Sequence, residues 1–360
     1  KRQGQQRPRY HSEHPLPVDL LVVDEASMID LPLMARLLDA LPAEARLILL
    51  GDKDQLASVE AGSIFADICG NVSAAHYSEN FLHLLQLVTG ERLPPAATHT
   101  GFSDSIALLH KSYRFCGDEG IGRLAAAVNH GDGDAVMALF ARGLDDISLY
   151  RPQAQNLALQ VVRTALPHFQ HCFDADGPGE SLRRFNEFRI LCAVRAGAAG
   201  VEQLNRAIEQ QLRTRGLIDA DGEHYRGRLV MVTRNDYSLG LFNGDVGILW
   251  PDVAGDGSLR AWFAMPDDTI KQVSPGRLPQ HESAYAMTVH KSQGSEFERV
   301  LVLLPFEESA VLSRELLYTA ITRARRHVEV WAGEAVLRQA VERRVRRASG
   351  LGERLHAERR

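Results

Sequence analysis

The chain has 360 residues, 45% of them hydrophobic and 24% charged, which gives enough apolar side chains for about two domains and excludes a disordered polymer. Asp and Glu number 46 against 41 Lys and Arg, a formal charge of -5, so no global basic field marks a nucleic-acid binder and any polyanion must be gripped by a local groove. Cys69, Cys116, Cys172 and Cys192 are scattered and form no CxxC pair, which argues for reduced thiols and against a disulfide framework or a cysteine zinc site.

Residues 1–17 are polar and punctuated by proline, and they lead directly into Leu20-Leu-Val-Val-Asp-Glu-Ala-Ser27. An apolar run of this kind predicts a strand of a parallel sheet buried on both faces, ending in two adjacent carboxylates. Asp24 and Glu25 then sit at the carboxyl end of the strand, where open α/β sheets bind ligands. In a nucleoside triphosphatase the first acid holds Mg²⁺ through its water shell and the second orients or deprotonates the attacking water. An ordinary acidic turn capping the next helix is the competing reading. The following segment, 28–41, repeats Leu33, Leu37, Leu38 and Leu41 at helical spacing, with Asp30 as N-cap and Pro32 early in the helix, and predicts a crossover helix. A second buried strand, 47–50, again ends in polar residues, Gly51-Asp-Lys-Asp-Gln-Leu56. Gln55 carries one donor and one acceptor group and so can bridge a phosphate or water to another part of the protein, or simply face solvent.

Residues 69–100 mix a helical leucine stretch, 81–88, with a Pro94-Pro95 break and read as a boundary or insertion. Ser112-Tyr-Arg-Phe115 follows, in which Arg114 offers a planar fork to a phosphate or to a surface carboxylate. A helix-rich region over 121–140, a buried strand over 189–194 and a helix over 201–213 form a second α/β unit. Between 226 and 287 the texture changes to short strands, 229–233, 247–250 and 259–264, separated by Asn-Gly, Gly-Asp-Gly and Pro-Asp-Asp turns, which predicts a small inserted β-barrel.

The densest polar stretch is Tyr285-Ala-Met-Thr-Val-His-Lys-Ser-Gln-Gly-Ser-Glu-Phe297, before a buried strand over 300–304. So many hydrogen-bonding side chains in one loop suit a polyanion. A helix over 315–326 carries Arg323, Arg325 and Arg326 at its end, either as an arginine finger and its neighbours or as a solvated basic helix terminus. A basic, glycine-broken tail over 343–360 closes the chain. His11 with His14, and His168 with His171 beside Cys172, have metal-compatible spacing but no supporting cluster.

In this order, Asp-Glu after one strand, Gly-Asp-x-x-Gln after the next, Ser-Tyr-Arg, Val-His-Lys-Ser-Gln-Gly-x-Glu-Phe and Tyr-Thr-Ala-Ile-Thr-Arg-Ala resemble motifs II to VI of superfamily-1 helicases. The stretches 22–30, 51–62 and Gly240-Leu-Phe-Asn-Gly-Asp-Val-Gly247 resemble the RecD family, the alpha subunits of RecBCD-type helicase-nucleases (exodeoxyribonuclease V). The resemblance covers nearly the whole chain. It implies an α/β fold of two RecA-like parallel-sheet lobes with a small SH3-like β-barrel inserted in the second. The implied divisions are 1–102 for the first, incomplete lobe, 103–225 and 286–345 for the second, 226–285 for the insert and 346–360 for the tail.

It further implies an ATP-dependent DNA helicase motor, with ATP and Mg²⁺ as cofactors, moving 5′ to 3′ along single-stranded DNA. RecB-like and RecC-like subunits complete a cytoplasmic heterotrimer that acts at DNA ends in double-strand break repair and recombination. Carried over by residue, Asp24 resembles the Mg²⁺-associated acid, Glu25 the catalytic base and Gln55 the γ-phosphate sensor. Arg114 and Arg323 resemble the arginines that reach the γ-phosphate, Gln293, Gly294 and Glu296 belong near the nucleotide, and Thr288, His290 and Lys291 near the DNA backbone. No G-x-x-x-x-G-K-[ST] occurs in the chain. The family carries that phosphate loop upstream of the acidic pair, so the chain resembles the C-terminal part of a longer protein and is expected to have no ATPase by itself. A non-catalytic scaffold, or another superfamily-1 motor of the relaxase-linked or RNA-helicase kind, is the alternative. No apolar run approaches a membrane span of about 18 residues, and no signal-peptide pattern opens the chain.

Overall fold

The computed structural model describes residues 8–57, 64–70, 77–93, 103–109, 120–218, 222–265, 269–345 and 351, and the chain divides into two units, residues 1–112 with 345–360 and residues 113–344. In the first unit β1 (Leu20–Val23) is followed by α1 (Leu31–Ala40) and then by β2 (Arg46–Leu49), which pairs parallel to β1 with Leu20 opposite Arg46 and Val23 opposite Leu49. The helix begins where the Asp30 carboxylate accepts the Leu33 N–H at 2.7 Å, with Pro32 in the first turn, where a missing N–H costs nothing.

The expected burial of these elements is not found. Leu20 and Val22 are each 50% exposed, so β1 alternates between exposed and half-buried residues instead of lying between two covered faces. Likewise α1 buries Met34 and Ala40, and the leucine stripe that predicted it leaves Leu33 and Leu38 exposed. The reason is that β2 is the only strand paired with β1 among the described residues, and a buried parallel strand needs neighbours and a cover on both faces. Helix α2 (Ile64–Cys69) and helix α3 (Glu79–Thr89) complete the unit, the latter capped by the Ser78 hydroxyl, which accepts the Phe81 N–H at 3.2 Å.

The second unit runs through α4 (Gly120–His130), α5 (Gly133–Ala141), β3 (Ile147–Tyr150), α6 (Leu157–Phe173), α7 (Pro178–Glu187), β4 (Phe188–Cys192) and α8 (Val201–Thr214). An antiparallel segment follows, with β5 (Leu229–Val232), β6 (Val246–Pro251), β7 (Leu259–Ala264), β8 (Ile270–Val273) and β9 (His281–Ser283). The chain then returns through β10 (Ala286–Thr288), β11 (Phe297–Leu303), α9 (Arg314–Ile321), β12 (Ala324–Trp331) and α10 (Glu334–Glu342). The parallel sheet has the order β10-β4-β11-β12-β3. Helices α4, α5, α9 and α10 pack together against it, as do α6, α7 and α8. β4 is buried at every residue, which a parallel sheet covered on both faces requires.

The inserted segment is a five-stranded antiparallel sheet in the order β8-β7-β6-β5-β9. Its end strands, β8 and β9, are not paired with each other among the described residues. Val230, Val232, Leu241, Leu249, Ala261, Phe263 and Val273 form its core. Glycine is required at Gly247 because a Cβ there would stand 2.6 Å from the Phe263 ring.

The insert returns to the parallel sheet over 283–286, and the buried Asn205 of α8 holds this junction. Its amide donates to the carbonyls of Ser283 at 2.7 Å and Ala286 at 3.1 Å, and its oxygen accepts the Ala286 N–H at 2.8 Å. Arg189, 1% exposed, adds a bond from Nη1 to the Ala284 carbonyl at 2.7 Å and lies over the Phe297 ring at 4.9 Å. Burial without an anionic partner pulls the Arg189 guanidinium down to about 10. Asn205→Ala leaves the Ala286 N–H without its acceptor and removes two donors, so it should lower unfolding stability by about 3 kcal/mol in urea titrations. A loss below about 0.5 kcal/mol would show that the junction is held by other contacts.

Candidate functional site

In the first unit the candidate residues lie at the carboxyl ends of two adjacent parallel strands. The ladder continues past β1 and β2: Leu50 N–H donates to the Val23 carbonyl and Ala26 N–H to the Leu50 carbonyl, both at 2.8 Å. This brings the acidic turn and the Gly51–Gln55 loop against each other. Gly51 packs so closely that a Cβ there would lie 3.2 Å from both the Ser27 nitrogen and the Phe65 ring. Asp24 is exposed, and its Oδ1 accepts the Glu25 N–H at 2.8 Å. Glu25 has φ 50° and ψ 40°, a left-handed conformation that an L-residue adopts at a cost of about 1–2 kcal/mol. Strain of this kind collects at working sites, and here it turns the glutamate away from the strand direction.

Two residues that the sequence did not single out shape this corner. Asp52 Oδ2 accepts from the Gln55 amide at 3.2 Å while its Oδ1 accepts the Asp54 N–H at 3.0 Å, so Asp52 orients the Gln55 carboxamide. The Asp-x-Asp spacing is an Asx-turn signal that could have revealed it. Ser27 is 8% exposed and its hydroxyl finds no hydrogen-bond partner among the described residues. A buried donor without a partner costs about 1–3 kcal/mol, which a bound oxyanion or ordered water at this corner would offset.

In the second unit Thr288 ends β10 and opens a short 3-10 turn, Val289–Ser292, that contains His290 and Lys291. Ser292 is buried and closes the turn by donating to the Val289 carbonyl at 2.8 Å. Gln293 follows as the cap residue, and Gly294 takes φ +74°, outside the range most side chains tolerate. Lys291 is engaged within its own unit: its ammonium meets Glu282 of β9 at 2.8 Å, and Glu282 also takes Arg195 at 2.9 Å. Glu296 accepts from Arg325 at 2.8 Å.

Arg323 lies between α9 and β12 and is 2% exposed. Its Nε donates to the Thr319 carbonyl and its Nη1 to the Ser295 carbonyl, each at 3.2 Å, while its own carbonyl accepts the Phe297 N–H at 2.9 Å. The segments 293–297 and 319–323 are thereby joined. The expected helix over 315–326 ends at Ile321, and Arg325 and Arg326 belong to β12. The basic trio is thus not one helix terminus, because pairing of Ala324 with Phe297 starts a strand there. Arg325 and Arg326 instead meet Glu296 and Glu298 at the rim of a cleft of about 900 Å³. His168 lines the same cleft, stacked on Phe188 at 4.2 Å, and burial together with Arg299 lowers its pKa. Arg114 lies outside the described residues.

Burial raises the Cys172 thiol to about 12 and the Cys192 thiol further, which suits inert reduced side chains. Among the described residues no group of three or more His, Cys, Asp and Glu could hold a metal ion, and no helix is long and apolar enough to cross a membrane.

The family described as AAA domain matches residues 5–80, and the UvrD-like helicase C-terminal domain matches residues 283–330. The RecBCD enzyme subunit RecD of Haemophilus influenzae is 37% identical, over 96% of this chain and 55% of that protein. The RecBCD enzyme subunit RecD of Mycolicibacterium smegmatis is 40% identical, over 96% of this chain and 56% of its own length. The ATP-dependent RecD2 DNA helicase of Deinococcus radiodurans is 30% identical, over 98% of this chain and 42% of that protein. The chain thus spans about half the length of the curated relatives it matches.

Proposed function

We propose that this chain, similar to RecD subunits along 96% of its length, is the part of an ATP-dependent superfamily-1 DNA helicase motor that carries its hydrolytic acids and its second lobe. The observation that carries the reading is the meeting of Asp24 and Glu25 with the Gly51–Gln55 loop at the carboxyl ends of two adjacent parallel strands. The motor works within a RecBCD-type helicase-nuclease, beside RecB-like and RecC-like subunits, at DNA ends in break repair and recombination. Its direction is 5′ to 3′.

Of an ATP–Mg²⁺ site the residues present would supply the acids and the glutamine, and no Gly-rich phosphate loop is among them. Mg²⁺ is commonly held by one or two carboxylates together with substrate phosphates, so the exposed Asp24 would hold it here. Ser27, whose hydroxyl meets no partner among the described residues, offers a donor in the turn that follows. When bound, the nucleotide supplies the phosphoryl group whose transfer to water drives the motor. Asp24 would hold the metal. Glu25 orients the attacking water and takes its proton. Gln55, its carboxamide aimed by Asp52, reports the terminal phosphate. Arg323 and Arg114 bring positive charge from the second lobe, Gln293, Gly294 and Glu296 line the nucleotide, and Thr288, His290 and Lys291 grip the strand.

The test is unwinding of duplexes with a 5′ or a 3′ single-stranded tail, by a polypeptide that completes this chain with the portion of its RecD relatives it does not span. ATP and Mg²⁺ should drive unwinding of the 5′-tailed duplex. A preference for the 3′ tail overturns the direction, and no ATP-driven unwinding of either overturns the motor.

A further inference from the structure

The inserted sheet exposes two aromatic side chains on one loop, a placement its own packing does not require. Between β5 and β6, Tyr237 is 80% and Phe242 45% exposed, with ring centroids 6.0 Å apart at 76°. The loop that carries them is built to be stiff. Asp236 and Leu241 exchange backbone hydrogen bonds at 2.7 and 3.0 Å, and the Asp236 carboxylate accepts from the N–H groups of Ser238 and Leu239 and from the Ser238 hydroxyl. Asp245 accepts the Phe242 N–H at 2.7 Å, and Asn235 the Asn243 N–H at 2.8 Å. Leu241, fully buried, anchors the tip in the core of the insert. Adjacent residues in the chain therefore point oppositely, Leu241 into the sheet and Phe242 out.

The surroundings are basic. Arg234 is exposed two residues before Asp236, the exposed Arg277 lies close enough to act on the Asp236 carboxylate, and the Lys271 ammonium donates to the Leu239 carbonyl. Against these three cations stand Asp236 and Asp245, both held by donors of the loop itself. A rigid aromatic pair with cations around it, on a chain of net charge -5, matches what unpaired bases on a phosphate backbone need.

Resting on the motor reading above, we propose that Tyr237 and Phe242 form a base-stacking platform through which the inserted sheet holds single-stranded DNA without sequence preference. Stacking accepts any base because every base has a π-face, and a loop already ordered loses little freedom on binding.

The test measures fluorescence anisotropy of this chain with a labelled oligo-dT of about 16 nucleotides at low salt, and with an abasic strand of equal length. Tyr237→Ala and Phe242→Ala should each weaken oligo-dT binding about tenfold, as loss of one stacked base predicts, and leave abasic binding unchanged. Both side chains are exposed, so melting temperatures should hold. Tyr237→Trp should retain affinity, with tryptophan emission quenched by oligo-dT and not by the abasic strand. Unchanged oligo-dT affinity in both alanine variants, or an unquenched tryptophan in a bound complex, overturns the platform while leaving the motor reading intact. No binding of oligo-dT by the unaltered chain counts against both. Loss of partner-subunit assembly with oligo-dT binding intact would assign the loop to a protein interface and overturn the proposal.

Discussion

Glu25→Gln in the completed motor should lower ATP turnover by about 10²- to 10⁴-fold, the range general-base catalysis supplies, with nucleotide affinity retained. Glutamine keeps the shape of the side chain and its acceptor oxygen but cannot take a proton from water. Asp24 is untouched and continues to hold the Glu25 N–H, so the turn should survive. Single-turnover hydrolysis and a separate binding measurement distinguish the two effects. The backbone offers a second discriminating variant. At φ 50° a glutamate is strained and a glycine is not, so Glu25→Gly should fold at least as stably while losing turnover to the same degree. Stable folding with lost turnover in Glu25→Gly would assign the side chain to chemistry and not to the turn. Turnover that survives either substitution removes Glu25 from the role of base.

The other large effect is expected at Arg323. As an arginine finger it should contribute about 10³- to 10⁵-fold to turnover, so Arg323→Ala should nearly abolish hydrolysis in the completed motor and spare nucleotide binding. Its burial adds a structural effect that must be separated. The guanidinium bonds the Thr319 and Ser295 carbonyls, and alanine leaves both without that donor and opens a cavity, at a cost of about 2–4 kcal/mol in unfolding stability. Arg323→Met fills more of the volume and should recover part of the stability with no recovery of turnover. If turnover follows stability across the two variants, Arg323 only joins the segments 293–297 and 319–323. In the finger role, the arginine exchanges one or both carbonyls for a phosphate as the motor cycles.

Much of the architecture was legible locally. The cap at Asp30, the strands at 20–23 and 46–49, the helix over 201–214 and the inserted strands all declare themselves through periodicity, capping residues and turns, because these signals span a few residues. The elements that escaped include β3, α6 and α7, along with α2, β8, β9, β10 and α10. α6 carries an internal proline, Pro167, and β3 has four residues whose strand character comes from pairing with β12, 179 residues from Ser148 to His327. The leucine stripe of α1 shows the opposite failure. A helical period predicts a helix correctly without saying which face finds a partner.

By itself the sequence determined the identity and order of the chemical groups: an acid pair after one strand, a glutamine loop after the next, a polar turn and an arginine after a helix. Covalent spacing keeps the members of each group together in any fold that forms the strands, without bringing one group to another. Only the tertiary structure decided which charges are already committed. Lys291 and Arg195 share Glu282, Arg323 is turned onto two carbonyls, Asp52 steers Gln55, and Tyr237 and Phe242 stand outside the core that holds Leu241. Arg195 and Glu282 are 87 residues apart, and Asn205 and Ala286 are 81 apart. A charge or donor is neutralised by whatever lies within about 3 Å of it, and at such separations only chain packing sets that distance.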